Sequence, residues 1–403
     1  MKRIYLDYAA ATPVDSRILR EVVRVSKTIH GNPSSLHESG RAARNIIEES
    51  RKKVSRILGC RSEEIIFTGS GTEANNLAIL GTPEGHVVTT NIEHHSVLRP
   101  LEKRGSITFV PVKPNGIVDP NDIAKALRPD TVLVSVMYAN NEIGTIQDIT
   151  KISRIIKNSF PTLVTSHLPL LHTDACQAPE YLKLNVHELG VDLMTLNGSK
   201  IYGPKGIGCL YVRRGINIEP LIFGGDQERG LRPGTENVAL IAGFASALEL
   251  AERTRIKEST RLIKLRDEFI GRIIREIPQS YLNGDATNRL PNNINISFED
   301  IDGPLRQGSS EASEMLVLIL DQEGIEVSTG AACTTTETGP SHVILALEKA
   351  RRMTLSDPEL VEGESKGDGN LRITLGRQTT KKDILHAIKV IADCVYKTRK
   401  ARG

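Results

Sequence analysis

The chain has 403 residues, of which 39% are hydrophobic and 25% charged, and its formal net charge is +3. This length allows a large core in two or more domains, and the composition is that of an ordinary globular protein. The charge is too small to indicate direct nucleic-acid binding, and no apolar run reaches membrane length. The chain also opens without an apolar signal segment, so we expect a cytoplasmic protein.

Strand and helix patterns alternate through the first two thirds of the chain. Helical patterns at 121–127 and 148–158 join some of the predicted strands, which are 65–68, 86–90, 107–112, 131–137, 170–173, 191–196 and 208–212. This alternation predicts an α/β fold, in which a mainly parallel sheet lies between helices and ligands bind at the carboxyl ends of the strands.

The pattern changes after a long helical stretch at 237–277. The later elements are strands at 293–298, 325–328 and 371–375, and helices near 309–323 and from Lys381. They predict a smaller α+β domain, which the N-terminal residues complete. We therefore divide the chain into a large domain, 12–257, and a small domain made of 1–11 and 258–403. The acidic segment 359–369 is the one linker-like stretch.

A glycine-rich turn follows the first predicted strand of the large domain. Gly69-Ser-Gly71-Thr72 leads directly into a helical pattern. Free backbone N–H groups, the helix dipole and a hydroxyl meet at such a position, so the turn predicts an anion site. By itself this turn is common and unspecific.

Two further strand ends carry an aspartate and a lysine. Asp174 ends the strand at 170–173, and Lys200 follows the apolar run at 191–196 and precedes a glycine-rich turn. A desolvated lysine amine can condense with an aldehyde, which is how pyridoxal phosphate (PLP) is bound. A PLP site needs such a lysine, a carboxylate for the ring nitrogen and a phosphate cradle. An aspartate that caps a turn and a lysine that caps a strand would look the same.

Short motifs spread over nearly the whole chain decide between these interpretations. They stand in order at 5–13, 31–37, 72–76, 93–95, 140–144, 174–177, 200–206, 232–235, 328–333 and 371–377. Together they resemble the cysteine desulfurases of the NifS/IscS type, which are fold-type-I PLP enzymes related to class V aminotransferases.

The resemblance implies a role for each residue of the cofactor site. Lys200 would bind the cofactor covalently, and Asp174 would hold the pyridine nitrogen. Gln177 would hydrogen-bond the ring hydroxyl, and His94 would stack on the ring and assist proton transfer. The phosphate would be held by Gly71, Thr72, Asn197 and Ser199, together with Thr235 from the neighbouring subunit. The last assignment implies a homodimer.

Asn141 and Arg372 occupy the positions that hold the substrate carboxylate in this family. A guanidinium fits a carboxylate in a bidentate clamp. Without the resemblance, Arg372 would be interpreted as a strand arginine at the surface.

The chain departs from the family pattern in two places. Ser199 stands where a histidine usually precedes the lysine, and Asn197 replaces a more usual serine. The segment 158–170 is also longer than expected, and it has no functional explanation from the sequence.

Cys333 is the predicted sulfur carrier. It follows Gly330-Ala-Ala and precedes a polar run of threonines, where a thiol can be exposed and partly ionised. The other cysteines are predicted to be small core residues: Cys60, Cys176, Cys209 and Cys394. No pair has the spacing Cys-x-x-Cys, so we expect neither a metal site nor a redox pair.

The sequence therefore predicts an L-cysteine desulfurase that forms L-alanine and a persulfide on Cys333. Its sulfur acceptor would be an iron-sulfur scaffold protein or a transfer-RNA thiolation enzyme, as the resemblance implies. The alternatives are a selenocysteine lyase or aminotransferase of the same family, and a silent docking module of a sulfur-transfer complex.

Overall fold

A computed structural model describes residues 3–159, 168–301, 309–330, 341–354 and 369–400. Its α-helices are α1 Ser16–Thr28, α2 Glu38–Leu58, α3 Gly71–Leu80, α4 His95–Leu101, α5 Pro120–Ala126, α6 Ile149–Ser159, α7 Val186–Leu189, α8 Val238–Glu276, α9 Ser309–Gln322, α10 His342–Thr354 and α11 Lys381–Lys400. Its strands are β1 Ile4–Tyr5, β2 Ile65–Thr68, β3 His86–Thr90, β4 Ile107–Val110, β5 Thr131–Ser135, β6 Leu170–Asp174, β7 Leu193–Asn197, β8 Gly208–Val212, β9 Ser280–Leu282, β10 Asn293–Phe298, β11 Ile325–Glu326 and β12 Gly369–Thr374.

The large sheet has seven strands in the order β2-β8-β7-β6-β5-β3-β4. Neighbours from β7 to β4 pair in parallel, and β8 runs antiparallel to both of its neighbours. Every residue of β2 and β3 is buried, as expected for strands covered on both faces. The predicted α/β architecture with a mainly parallel sheet between helices is therefore confirmed.

The parallel order places the predicted site residues together. Asp174 ends β6 and pairs with Thr195 of β7, and Asn197 ends β7. A short 3-10 helix, Gly198–Lys200, follows at once. Because the carboxyl ends of parallel strands share one edge of the sheet, Asp174 and Lys200 lie at the same edge.

Two smaller sheets form a second layer with its own hydrophobic core. Strands β12, β10 and β9 form an antiparallel sheet in that order, and β1 pairs with β11 in parallel. A parallel bridge between Asp7 and Thr374 connects the N-terminal segment to the end of β12. Leu6, Phe298, Leu316 and Leu371 belong to this core.

Helix α8 contributes to both cores. Phe244 and Leu248 are buried in the core of the large sheet, whereas Phe269 and Ile273 belong to the smaller core. The predicted domain boundary between residues 257 and 258 falls inside this helix and stays a prediction.

Several predicted strands are longer than the observed ones. Strand β4 ends at Val110 and β5 at Ser135, although Val112 and Met137 are still buried. An apolar pattern in the sequence indicates which residues are buried. In both cases, buried residues continue beyond the last residue of the strand. Strands β1 and β9 were not predicted, because two or three residues are too few for a clear period. Residues 160–167 of the longer segment 158–170 and residues 359–368 of the linker-like segment 359–369 lie outside the described residues.

Candidate active site

A cleft with about 700 Å³ of space, including open solvent at its mouth, lies at the carboxyl ends of the large sheet. This volume suits a ligand of cofactor size. Its wall includes most of the predicted site residues: Gly71, Thr72, His94, Asn141, Asp174, Gln177, Asn197, Lys200 and Arg372. Ser199 and Thr235 do not line it, and Cys333 lies outside the described residues.

One end of the cleft is formed by the first turn of α3. The hydroxyl of Ser70 accepts a hydrogen bond from the N–H of Glu73, and the carbonyl of Ser70 accepts from Ala74. The N–H groups of Gly71 and Thr72 therefore remain available to an anion. A Cβ added at Gly71 would lie 2.8 Å from Cys176 Sγ, so only glycine fits there without a shift.

Asp174 is buried and held by two hydrogen bonds. Its Oδ1 accepts from the N–H of Cys176 at 2.9 Å, and its Oδ2 accepts from Asn75 Nδ2 at 2.7 Å. Asn75 also donates to Ser96 Oγ at 2.8 Å. Neither Asn75 nor Ser96 was predicted as a site residue, although Asn75 stands within the motif at 72–76. Asn75 joins the predicted anion helix to the predicted carboxylate.

His94 caps the start of α4 and is neutral in this position. Its Nδ1 accepts from the N–H of Ser96 at 3.0 Å and lies 2.7 Å from Ser96 Oγ. A nitrogen that accepts from a backbone N–H carries no proton, so the proton of the neutral ring is on Nε2. Burial lowers the pKa of His94; Asp174 opposes this effect and Lys200 adds to it.

Lys200 reaches the N-terminal segment of the chain. Its Nζ donates to the carbonyl of Ala9 at 3.0 Å and also to that of Ala10. Gln177 Nε2 donates to the same carbonyl of Ala9 at 3.0 Å. The amine thus lies in the cleft and donates to two backbone carbonyls of the N-terminal segment.

Asn197 caps the short helix that carries Lys200, and Ser199 lies inside this helix. Asn197 Oδ1 accepts from the N–H and the Oγ–H of Ser199, both at 3.2 Å. The side chain of Asn197 lines the cleft, whereas Ser199 contacts it only through Asn197.

Arg372 lies in the cleft on β12 and is 1% exposed, so the interpretation as a surface arginine is wrong. Nη2 donates to Asp7 Oδ1 at 2.9 Å, and Nη1 donates to the carbonyl of Asn141 at 3.4 Å. Within the described part of the chain, Nε is buried without a hydrogen-bond partner. The guanidinium therefore keeps donor capacity for a carboxylate.

Glu93 is fully buried beside His94, and sequence analysis gave it no role. Its Oε1 accepts from Thr90 Oγ1 at 2.7 Å and from the N–H of Met137 at 3.0 Å. Burial raises the pKa of Glu93 to about 8, although both hydrogen bonds lower it. This carboxyl is therefore mostly protonated at neutral pH.

The four described cysteines are free thiols. Cys209 and Cys394 are buried and Cys60 is half-buried, but Cys176 lines the cleft, which differs from its prediction as a core residue. The side chain turns toward the cleft because it follows Asp174 at the sheet edge. Burial raises the thiol pKa of all four, to about 12 for Cys60.

The residues on either side of segment 331–340 meet at Glu142. The hydroxyl of Ser341 donates to Glu142 Oε2, and the same oxygen lies 2.8 Å from the Cβ position of Gly330. Glu142 is 1% exposed and adjoins Asn141 in the cleft wall. Gly330 and Ser341 thus both lie beside the part of the cleft wall that contains Asn141.

The cleft meets the requirements of a PLP site. The α3 turn suits a phosphate, the Asp174 carboxylate suits a protonated ring nitrogen, and Lys200 supplies the amine. Asn75 Oδ1 is buried without a partner among the described residues, so the wall also has an unused acceptor.

Comparison with known proteins gives one consistent family. The aminotransferase class-V profile matches residues 4–386. The cysteine desulfurase IscS of Dictyoglomus turgidum is 45% identical, over 99% of this chain and 96% of its own length. A cysteine desulfurase IscS of Archaeoglobus fulgidus is 39% identical, over 98% and 97%. The structure of a NifS-like protein from Rickettsia africae superposes with a TM-score of 0.83, at 30% identity and over 98% and 99% of the two chains.

Among the described residues, no helix has the length and apolar character needed to cross a membrane.

Proposed function

The chain belongs to the aminotransferase class-V family and is a PLP-dependent L-cysteine desulfurase, and we propose that it takes up the substrate sulfur as a persulfide on Cys333. The observation that carries the residue assignments is the single cleft that contains Lys200, Asp174 and Arg372. When bound, PLP supplies an aldehyde for amines and an electron sink for carbanion chemistry.

Lys200 and Asp174 have the two principal roles toward the cofactor. Lys200 Nζ would hold the cofactor and, as a free amine, would move the proton of the substrate Cα. Asp174 keeps the ring nitrogen protonated, because a buried carboxylate favours a nearby positive charge. Its hydrogen bonds to Asn75 and Cys176 hold the carboxylate in place and support this role.

The remaining residues of the cofactor site bind and orient PLP. The N–H groups of Gly71 and Thr72 bind the phosphate with Asn197, and Ser199 positions Asn197. Gln177 binds the ring hydroxyl. His94 would pack on the ring as a neutral imidazole, and its Nε2–H would be available as a hydrogen-bond donor.

Arg372 binds the carboxylate of L-cysteine, together with Asn141. The support is that Arg372 is buried in the cleft with an unpartnered Nε, and a guanidinium presents its donors in a plane that matches a carboxylate.

Cys333 performs the step that defines the reaction. Its thiolate attacks the substrate sulfur: an S–S bond forms, the Cβ–S bond breaks, and its electron pair stays on carbon, which takes a proton. L-cysteine and the thiol become L-alanine and a persulfide, without an external oxidant or reductant. Two observations support Cys333: Gly330 and Ser341 flank its segment beside the cleft, and burial keeps the other four cysteines as thiols at neutral pH.

The test compares Cys333→Ser with Cys60→Ser. A hydroxyl is a poor nucleophile toward sulfur, so Cys333→Ser should bind PLP and L-cysteine but form no persulfide and release no alanine above background. Cys60→Ser should behave like the wild type. Mass spectrometry after cysteine treatment without reductant should find the added sulfur on the Cys333 peptide. Added sulfur on another cysteine, or full alanine formation by Cys333→Ser, would contradict the proposal.

The enzyme acts as a homodimer in which Thr235 binds the phosphate of the partner's cofactor. Thr235 is exposed and away from the cleft of its own chain. Three consecutive exposed apolar residues, Leu221, Ile222 and Phe223, precede it, and Phe223 is 87% exposed. Such a patch is typical of a protein interface. Sedimentation that finds an active, PLP-saturated monomer would rule the dimer out.

The persulfide is passed to an iron-sulfur scaffold protein or a transfer-RNA thiolation enzyme. The support is the IscS type of the relatives and a terminal sulfur that a second thiol can accept. Transfer of labelled sulfur from the persulfide to a purified scaffold protein or thiolation enzyme tests this step, and failure with both would exclude it. The cytoplasmic location stays a prediction.

A further inference from the structure

Asp7 is the carboxylate that contacts the guanidinium of Arg372. Among the described residues it provides the one side-chain hydrogen bond to the guanidinium, from Nη2 to Oδ1 at 2.9 Å. The other hydrogen bond of the guanidinium to the described residues is the long one from Nη1 to the carbonyl of Asn141. Nε has no hydrogen-bond partner among them. Asp7 does not itself line the cleft.

The N-terminal segment holds Asp7 firmly against the end of β12. The N–H of Leu6 donates to the carbonyl of Glu326 at 2.8 Å, and the carbonyl of Leu6 accepts from the N–H of Thr374 at 2.7 Å. The carbonyl of Asp7 accepts from the N–H of Ala10 at 3.1 Å, which closes a turn. With the backbone anchored on both sides, Asp7 Oδ1 is a fixed acceptor for the arginine.

The contact matters because the guanidinium is planar. A fixed bond at Nη2 sets the plane of the group, and therefore the direction of the Nε–H and Nη1–H bonds. Arg372 is 1% exposed, and Asp7 is its single carboxylate partner among the described residues. A guanidinium that turns out of this plane would lose one of the two hydrogen bonds that it can donate to a bound carboxylate.

We propose that Asp7 is a positioning residue for the substrate carboxylate: through its hydrogen bond to Nη2 it holds Arg372 with the unpartnered Nε–H directed to the amino acid. This rests on the proposed role of Arg372. The same segment provides the carbonyl of Ala9 to Lys200 and Gln177, so residues 7–10 contact both the substrate side and the cofactor side of the cleft.

The test measures calorimetric binding of the product L-alanine to the holoenzyme, together with KM and kcat for L-cysteine. Asp7→Ala should weaken L-alanine binding and raise KM about tenfold with a smaller change in kcat. Asp7→Asn keeps an acceptor at Oδ1. Its KM for L-cysteine and its Kd for L-alanine should therefore stay within about threefold of the wild-type values, well below the tenfold change expected for alanine. Asp7→Glu keeps the charge but moves the oxygen by one methylene, so it should be impaired like alanine.

Asp15→Asn is the matched control, because Asp15 pairs with Arg377 in the same region without lining the cleft. It should bind L-alanine like the wild type. Wild-type binding by Asp7→Ala, or rescue by Glu and not by Asn, would overturn the proposal. If Asp7→Ala does not fold, the comparison of Asn with Glu decides. Unchanged L-alanine binding by Arg372→Ala would instead refute the proposed role of Arg372.

Discussion

The proposed cofactor side and the proposed substrate side of the cleft are built differently. Gly71, Asp174 and Lys200 each stand where one strand of the large sheet ends or the next element begins. On the substrate side, Arg372 pairs with Asp7, which is 365 positions away in the chain. The first side follows from local strand–turn patterns, whereas the second depends on how the N-terminal segment packs on β12.

This difference gives separable expectations. Changes on the cofactor side should remove bound PLP or its chemistry, and changes on the substrate side should weaken cysteine binding while PLP remains bound. Glu93 combines both kinds of dependence. It is next to His94 in the sequence, but the protonation of its carboxyl depends on burial in the folded protein.

Lys200→Ala should have the largest effect. Without Nζ the cofactor has no covalent attachment, so the visible absorption of the lysine-bound cofactor should disappear, and turnover should fall by about 10²- to 10⁴-fold or more. Spectroscopy and borohydride reduction followed by peptide mapping measure this. Lys205→Ala is the control, because Lys205 is exposed in the same glycine-rich turn. Covalent cofactor at another lysine of the Lys200→Ala protein would show that the assignment is wrong.

Arg372→Ala should have an intermediate effect and sharpen the contrast between the two sides. A charge-assisted bond contributes about 1.5 to 3 kcal/mol, so KM for L-cysteine should rise by about 10- to 150-fold. PLP absorption should stay at the wild-type level, since Arg372 is not among the residues proposed to hold the cofactor. Steady-state kinetics and a spectrum of the same sample measure both. Loss of PLP together with cysteine binding would mean that the two sides cannot be separated.

Glu93→Gln should have the smallest effect, on stability against pH. Burial raises the pKa of Glu93 to about 8, whereas an unfolded glutamate titrates near about 4.3. The folded state therefore holds a proton that the unfolded state has lost, and the contribution of Glu93 to stability decreases as pH rises from about 4.3 to 8. Glutamine does not titrate, so the variant does not show this decrease in stability as pH rises.

Urea unfolding of both proteins between pH 5 and 8.5 measures the difference. The free energy of unfolding of the wild type, minus that of Glu93→Gln, should fall with pH by at most about 1.4 kcal/mol per pH unit. Glu180, whose pKa burial raises to about 7, titrates in both proteins and cancels. Parallel curves would show that Glu93 is ionised in the folded protein.

The sequence by itself determined the seven strands of the large sheet and much of the proposed cofactor side. The strand that ends at Asp174, the turn at Gly71 and the lysine at the edge of the sheet follow from apolar periodicity and turn residues, which are local signals. Parallel topology then brings strand ends to one edge, so those residues were predicted to meet before any distance was known.

Only the tertiary structure decided the partners. Asn75 bonds Asp174 across 99 positions, Asp7 bonds Arg372 across 365, and Glu93 loses its charge because the core closes over it. A hydrogen bond depends on a few tenths of an ångström between its two atoms, and a pKa depends on how much water reaches the group. The distance between two atoms and the access of water to a group are both set when separate elements pack together. The residues along one stretch of chain do not determine them.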